Sequence, residues 1–268
     1  MSAPFKENVV IITGASRGIG RELALQLAKQ GAWLALAARD AEKLEDVAKN
    51  CRLRGGKAII VPTDVAKEEN CKELIERTVE EYGRIDTLVN NAGISMWALF
   101  DEVEELDIFE KIMRVNYLGS VYCTHYALPH LKETQGRLVA VSSLTGKAGV
   151  PTRSGYAASK HAMVGFFDTL RIELMETGVT VTISFPDFVA TDIRNLALGG
   201  DGNPVMDTPV QEDKIMTVET SVQSLLRAME KRKREDIQTA RGRFGQWLKL
   251  IAPGLIDRIA QRAITRGK

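Results

Sequence analysis

The feature that most constrains the fold is a regular alternation of short apolar runs and longer amphipathic stretches. Runs that are apolar on both faces suit strands buried between two layers, and a helix between each pair makes the connection a crossover. The pattern therefore predicts an α/β fold in which helices cover both faces of a parallel sheet. The expected strands are residues 9–13, 33–38, 57–61, 86–90, 137–142 and 179–185, and the expected helices lie near 19–30, 41–54, 67–82, 105–131, 156–177 and 217–232.

Composition narrows the class of protein. The chain has 268 residues, 44% hydrophobic and 26% charged, with a net charge of +1, which is ordinary for a soluble globular protein and gives no general sign of nucleic-acid binding. Its three cysteines are widely spaced, which predicts reduced thiols in a cytoplasmic protein, and the histidines lack a metal-ligand pattern, so no metal site is expected. The first strand-like run leaves no room for a signal peptide, and no apolar stretch approaches the ~20 residues of a spanning helix.

A glycine-rich loop, TGASRGIG, follows the first expected strand and opens the first helix. Glycines at 14, 18 and 20 allow a tight turn and a close approach of the backbone to a phosphate, while the helix N-terminus offers free N–H groups. The loop therefore predicts a site for a nucleotide pyrophosphate. The alternative is an ordinary structural turn between a strand and a helix.

The stretch SSLTGKAGVPTRSGYAASK, residues 142–160, carries a second pattern. Tyr156 and Lys160 are four residues apart and share one face of a helix. A nearby ammonium group favours the phenolate, and the Ser143 hydroxyl could orient a carbonyl or an alcohol. Because Tyr-x-x-x-Lys is frequent by chance, this triplet alone leaves proton-transfer machinery and an ordinary helix start both open.

The spacing Gly-x-x-x-Gly-x-Gly resembles the loop of the short-chain dehydrogenases/reductases, and the N-N-A-G at 90–93 matches that family too. The sequence looks most like the branch that contains 11-beta-hydroxysteroid dehydrogenase. The resemblance implies a single-domain Rossmann-type doubly wound parallel sheet of about seven strands over 1–240, with a substrate lid at about 194–216 and a basic, apolar helical extension over 241–268. The family's active-site positions are filled by Asn116, Ser143, Tyr156 and Lys160.

The resemblance also implies a role for each of these side chains. Tyr156 would donate a proton to the substrate carbonyl oxygen during reduction and accept it during oxidation, and Ser143 would bind that oxygen. Lys160 would lower the pKa of Tyr156 and hold the nicotinamide ribose, and Asn116 would hold a water behind it.

Cofactor positions follow from the same resemblance, with one departure: the family's Pro-Gly after the sixth strand is Pro186–Asp187 here. The predicted cofactor residues are Gly14, Ser16, Arg17, Gly18, Ile19, Gly20, Arg39, Asp64, Val65, Asn91, Ala92, Gly93, Tyr156, Lys160, Pro186, Val189 and Thr191.

The end of the second strand bears on the choice of nucleotide. An NAD site usually carries an acid there to hold the ribose diol, but this chain has Ala38 followed by Arg39. With Arg17 in the glycine loop, two guanidinium groups could clamp a 2′-phosphate. We therefore predict NADP(H) in preference to NAD(H). Two solvated arginines, or an approach of Asp40 to the ribose, are the alternatives.

Residues near the active tyrosine by family analogy are mostly apolar or small, which suits a hydrophobic ketone, aldehyde or alcohol. No charged anchor is evident, and Lys147 and Arg153 flank the site in positions that could face water. The predicted pocket residues are Met96, Trp97, Thr145, Val150 and Phe188. For Met96 and Trp97, packing in the hydrophobic core is an equal alternative to lining the pocket.

The last segment differs in charge from the rest, since residues 231–268 carry +8 and the preceding chain −7. Pro253 and Gly254 divide it into two short helices in which apolar and basic residues alternate. Such helices can cover the chain's own domain or a partner subunit, or lie in a membrane interface, whereas the short basic run at 231–234 does not favour nucleic-acid binding. The resemblance implies a homodimer or homotetramer.

Together these features predict an NADP(H)-dependent oxidoreductase of a hydrophobic carbonyl/alcohol pair. A 3-oxoacyl reductase of lipid synthesis and a non-enzymatic nucleotide-binding regulator are the alternatives.

Overall fold

The computed structural model describes residues 3–191, 193, 196–205 and 215–265. Seven parallel strands form one sheet in the order β3-β2-β1-β4-β5-β6-β7, which confirms the Rossmann-type prediction. The strands are β1 Val9–Thr13, β2 Trp33–Ala38, β3 Lys57–Pro62, β4 Thr87–Asn90, β5 Arg137–Val141, β6 Thr180–Phe185 and β7 Glu235–Ile237. The α-helices are α1 Gly18–Ala28, α2 Ala41–Leu53, α3 Glu68–Tyr82, α4 Asp107–Met113, α5 Gly119–Glu133, α6 Ser154–Glu173, α7 Val218–Glu230, α8 Ala240–Ile251 and α9 Pro253–Thr265.

The sheet separates two hydrophobic layers. Successive residues of β1 point to opposite faces, so Ile12 packs with α1, α2 and α7 while Ile11 packs with α3, α5 and α6. Both side chains are fully buried. The helices on both sides of the sheet therefore explain why its strands carry apolar residues on both faces.

The strand order reverses beside β1, and this reversal positions the site. β1 pairs with β2 on one side and with β4 on the other, with Ile12 opposite Val89. The loops that leave β1 and β4 therefore diverge to opposite faces and open a crevice at the carboxyl edge of the sheet.

The six expected strands lie within one residue of their predicted bounds, but two elements differ from expectation. The expected helix at 105–131 is divided by a π-helical turn, Arg114–Leu118, between α4 and α5. Strand β7 was not among the expected runs because it has three residues, two of them acidic. Its Asp236 is buried, where it accepts hydrogen bonds from Ser184 (2.8 Å) and Ser224 (2.7 Å).

The C-terminal segment forms two helices, as predicted from Pro253 and Gly254. They pack against each other, and α8 contacts β7. The predicted lid at about 194–216 is described at 196–205 and 215–216, and its remaining residues lie outside the described ranges. In the described part of the chain, no helix has the length and apolar character needed to cross a membrane.

Candidate active site

A cleft of about 1000 Å³ lies along the carboxyl edge of the sheet. It begins at the glycine loop after β1, passes the start of α6 and ends under α8 and α9. The predicted site residues that line it are Gly14, Ser16, Arg17, Gly18, Ile19, Arg39, Asp64, Val65, Asn91, Ala92, Gly93, Ser143, Thr145, Val150, Tyr156, Lys160, Pro186, Phe188, Val189 and Thr191.

Close backbone packing shapes the glycine loop. Gly14 has a φ of +66°, and a Cβ there would lie 2.9 Å from the Ala92 Cα. A Cβ on Gly20 would lie 2.3 Å from the Gly14 carbonyl oxygen, so Gly20 supports the loop from below rather than lining the cleft. A side chain at either position would clash with the loop itself or with the segment after β4, so glycine keeps the turn tight enough to leave room for a pyrophosphate above the N-terminus of α1.

Hydrogen bonds fix this loop to the segment that follows β4. The Thr13 hydroxyl accepts the N–H groups of Asn91 and Ala92, both at 3.0 Å. The Asn91 side-chain amide donates to the Thr13 carbonyl at 2.9 Å. These bonds join the loop after β1 to the segment after β4, so the two form one rigid base of the cleft.

Two arginines lie at the outer end of the cleft. Arg17 precedes α1, Arg39 is exposed at the end of β2, and neither makes an ion pair with a residue that the structure describes. Asp40 instead accepts hydrogen bonds from the Lys43 backbone (3.1 Å) and ammonium (2.6 Å), and these contacts lower its pKa. Asp40, the acid that follows the end of β2, is therefore engaged in capping α2.

The Tyr156 phenol lies in the middle of the cleft and is 7% exposed. Burial raises its pKa, while the positive charge of Arg153 and a hydrogen bond with Ser143 act in the opposite direction. The Ser143 oxygen also accepts the Thr145 N–H at 3.2 Å. The structure therefore places Ser143 and Tyr156 in the same part of the cleft, where both hydroxyls could reach one substrate oxygen.

Lys160 lies one turn further along α6. Its ammonium donates to the Val141 carbonyl at 2.9 Å and lies 5.8 Å from the centroid of the Tyr156 ring. Burial lowers the pKa of Lys160 to about 8.

Asn116 lies on the π-helical turn behind the cleft. Its side-chain oxygen accepts the Ile94 N–H at 2.8 Å, and its amide donates to the Ile94 carbonyl and to the Ser159 hydroxyl, both at 2.9 Å. Asn116 therefore joins the segment after β4 to α6. A π-turn widens a helix locally, and such turns are frequent at functional sites.

Two predicted pocket residues lie behind the cleft wall. Met96 is fully buried, and its sulfur accepts the Gly155 N–H at 3.1 Å. Trp97 packs under the guanidinium of Arg153, with its ring centroid 4.6 Å away. These contacts favour the packing alternative for both side chains.

Residues of α8 and α9 complete the far end of the cleft, and the sequence analysis did not place them there. They are Arg241, Gly242, Gly245, Gln246, Lys249, Ile256, Ile259 and Ala260.

Asp187, the departure from the Pro-Gly motif, ties these helices to the site. Both of its oxygens accept hydrogen bonds from Arg241 at 2.9 Å, and one accepts the Thr239 hydroxyl at 3.1 Å. An acid in place of glycine after β6 is therefore the sequence feature that indicates a basic partner over this loop, and the structure identifies that partner as Arg241.

Comparisons with known proteins show the family to which this chain is similar. The family model for short chain dehydrogenases matches residues 8–198. The chain is 42% identical over 217 residues to 11-beta-hydroxysteroid dehydrogenase-like 4A of Arabidopsis thaliana, covering 80% of this chain and 70% of that one. It is 36% identical over 255 residues to 11-beta-hydroxysteroid dehydrogenase A of Sesamum indicum, covering 93% and 73%.

A crystal structure of a short chain dehydrogenase/reductase from Burkholderia phymatum in complex with NAD has the same fold. The TM-score is 0.82 at 23% identity, covering 94% of this chain and 96% of that one.

Proposed function

The chain belongs to the short-chain dehydrogenase family, whose oxidoreductases bind a nicotinamide cofactor, and from that premise we propose that it is an NADP(H)-dependent enzyme that interconverts a hydrophobic ketone or aldehyde and its alcohol. The observation that carries the proposal is the buried Tyr156 phenol, which lines the same cleft as Ser143 and Lys160, a cleft that begins at a glycine-rich loop suited to a phosphate.

The cleft divides into parts that suit different groups of the cofactor. The N–H groups at the start of α1 would hold the pyrophosphate. Lys160 would hold the nicotinamide ribose, with Val189 and Thr191 beside the ring. When bound, the nicotinamide supplies or accepts the hydride.

Tyr156 serves as the general acid of carbonyl reduction and the general base of alcohol oxidation. In reduction its phenol gives a proton to the substrate oxygen, and the Ser143 hydroxyl stabilises charge that develops on that oxygen. The proton that Tyr156 loses must be replaced from solvent. A Cβ on Gly93 would lie 3.2 Å from the Asn116 oxygen and 3.6 Å from the Lys160 nitrogen, so the amide and the ammonium face one small space suited to a relay through water.

The preference for NADP(H) rests on Arg17, Arg39 and the engaged carboxylate of Asp40. Because charge-assisted hydrogen bonds contribute about 1.5–3 kcal/mol each, Arg39→Ala should weaken NADPH binding by roughly 10- to 100-fold and leave NADH binding nearly unchanged. Fluorescence titration with both nucleotides measures this. Arg21→Ala is the matched control, since Arg21 is an exposed cation of α1 outside the cleft lining.

Equal affinity of the wild-type protein for NADH and NADPH would contradict the cofactor preference. Turnover of hydrophobic ketones with NADPH supports the enzyme, whereas tight nucleotide binding without turnover of any carbonyl would favour a non-enzymatic regulator. Faster turnover of 3-oxoacyl thioesters than of simple ketones would favour the lipid-synthesis alternative.

The outer surface of α8 and α9 suggests a membrane contact. Trp247, Leu250 and Ile251 are 68%, 84% and 69% exposed, and Arg258 and Arg262 lie on the adjoining helix. An apolar surface rimmed by cations suits the interface of an anionic bilayer.

Co-sedimentation with anionic vesicles tests this contact. Leu250→Glu should reduce the vesicle-bound fraction severalfold, while Leu53→Glu, at an equally exposed apolar position of α2, should not. If neither protein binds vesicles and Leu250→Glu dissociates an oligomer in light scattering, the surface is a subunit interface instead.

A further inference from the structure

Arg153 is a buried cation immediately before α6, three residues ahead of Tyr156. It is 7% exposed, lines the cleft and donates a hydrogen bond to the Ser95 hydroxyl at 3.3 Å. Its guanidinium carbon lies 4.6 Å from the ring centroid of Trp97, 5.6 Å from that of Phe188 and 5.8 Å from that of Tyr156. Aromatic faces stabilise a cation that is withdrawn from water.

The backbone before Arg153 is held in an unusual conformation. Thr152 has a φ of +68°, a region that β-branched residues rarely adopt. Its carbonyl accepts the Ala98 N–H at 3.0 Å, which ties this turn to the segment after β4. Strained residues of this kind concentrate at functional sites, and here the strained turn directs a long cationic side chain inward.

Lys160, the other cation near the phenol, differs from Arg153 in its response to pH. Burial lowers the pKa of Lys160 to about 8, so its ammonium loses charge in mildly alkaline solution. A guanidinium keeps its charge throughout the range in which proteins are folded. At separations of about 4–6 Å, a positive charge favours the ionised form of an acid.

We propose that Arg153 is a positioning residue that acts through Tyr156, its permanent charge stabilising the phenolate and thereby setting the protonation state of the general acid/base. The inference rests on the proposed function, since it assigns Tyr156 the proton transfer. It explains how a phenol surrounded by apolar groups remains able to ionise. In agreement, the charge of Arg153 opposes the effect of burial on the pKa of Tyr156.

Other charged groups reach the same cleft from each neighbouring element. Lys111 comes from α4, and Lys249 comes from α8. Lys147, after β5, pairs with Glu235 at 2.8 Å, and Asp187, after β6, is paired with Arg241. Among the residues that the structure describes, the Arg153 guanidinium and the Lys160 ammonium both lie 5.8 Å from the centroid of the Tyr156 ring, and of the two only the guanidinium keeps its charge above the pKa of Lys160.

A direct titration of Tyr156 tests the inference without any substrate. The difference in tyrosinate absorbance between a protein and its Tyr156→Phe counterpart isolates this one of the five tyrosines. Arg153→Met, which keeps an apolar stem but no charge, should raise the midpoint of Tyr156 by about one pH unit or more. Lys111→Met, which removes an exposed cation from the same cleft, should not shift it.

An unchanged midpoint in a folded Arg153→Met protein would overturn the inference. If that variant fails to fold, Arg153→Gln, which retains a donor for Ser95, takes its place with the same expected shift.

The pH dependence of alcohol oxidation is an independent test of the effect of Arg153 on Tyr156. Oxidation requires the phenolate, so the acidic limb of kcat/KM should move to higher pH in Arg153→Met by the same amount as the titration midpoint. A rise in KM with an unmoved limb would show that Arg153 binds substrate instead, which overturns the inference. If no alcohol is oxidised, the proposed function fails, and the absorbance titration still decides the effect of Arg153 on Tyr156.

Discussion

The nucleotide end and the substrate end of the cleft are built in different ways. At the nucleotide end, residues 13–20 and 90–93 meet through main-chain contacts, such as the approach of Gly14 to Ala92. At the substrate end, side chains from distant segments converge, as Arg241 does on Asp187 and Arg153 on Trp97. The first end depends on glycine and leaves little choice of residue, whereas the second can vary its side chains without changing the fold.

This difference has a functional consequence. A pyrophosphate is the same in every nicotinamide cofactor, so a backbone cradle suffices to bind it. Substrates differ, and the segments that we expect to contact them are the loop after β6, the described part of the predicted lid, and helices α8 and α9, which line the other end of the cleft. Changes at the nucleotide end should therefore weaken binding of the cofactor, while changes at the substrate end should alter the chemistry or the substrate affinity and leave cofactor binding intact.

The largest expected effect is on chemistry at the substrate end. Tyr156→Phe removes the proton donor and should lower kcat about 10²- to 10⁴-fold, because general acid–base catalysis contributes that much. NADPH affinity, measured by fluorescence, should stay within a few-fold of wild type. Tyr126→Phe, which affects an exposed hydroxyl bonded to Glu68, is the control. Equal loss of NADPH binding in Tyr156→Phe would show that the two ends are not separable.

A change at the nucleotide end should affect binding instead. Gly20→Ala places a methyl group 2.3 Å from the Gly14 carbonyl oxygen, and the loop must shift. Overpacking of this kind costs about 1–3 kcal/mol, so NADPH affinity should fall roughly 10- to 100-fold. Gly165→Ala is the control, since a Cβ there, on an exposed position of α6, meets nothing within 4 Å. Unchanged NADPH affinity in Gly20→Ala would refute the rigid cradle.

The smallest effect is expected where α8 is tied to the loop after β6. The Arg241 side chain is 64% exposed, so Arg241→Met should destabilise the fold by no more than about 1 kcal/mol. It should raise KM for carbonyl substrates a few-fold and speed proteolysis of the C-terminal helices, because their link to Asp187 is lost. Arg258→Met, on an exposed face of α9, should do neither. Identical proteolysis rates for the two variants would mean that the pair does not hold α8.

Local patterns predicted most of the fold and the nucleotide end. A strand such as β1 is recognisable because all five of its residues are apolar or β-branched, and the structure buries all five. The loop after it is recognisable because glycine alone fits its backbone. Strand β7 was not predicted because its acidic residues are stabilised by partners from other elements, Ser184 and Ser224 for Asp236 and Lys147 for Glu235. The break between α4 and α5 was not predicted because the π-helical turn between them contains no glycine or proline.

By itself the sequence determined the doubly wound sheet and the phosphate loop, because each depends on spacing along a single element or on the absence of a side chain, and the family's intervals supplied the predicted roles of Ser143, Tyr156 and Lys160. Only the tertiary structure decided that Arg153 is buried beside Tyr156, that Met96 lies behind the cleft wall, and that α8 and α9 close its far end. Burial and charge pairing depend on residues far apart in the chain, and no local pattern encodes which of them meet.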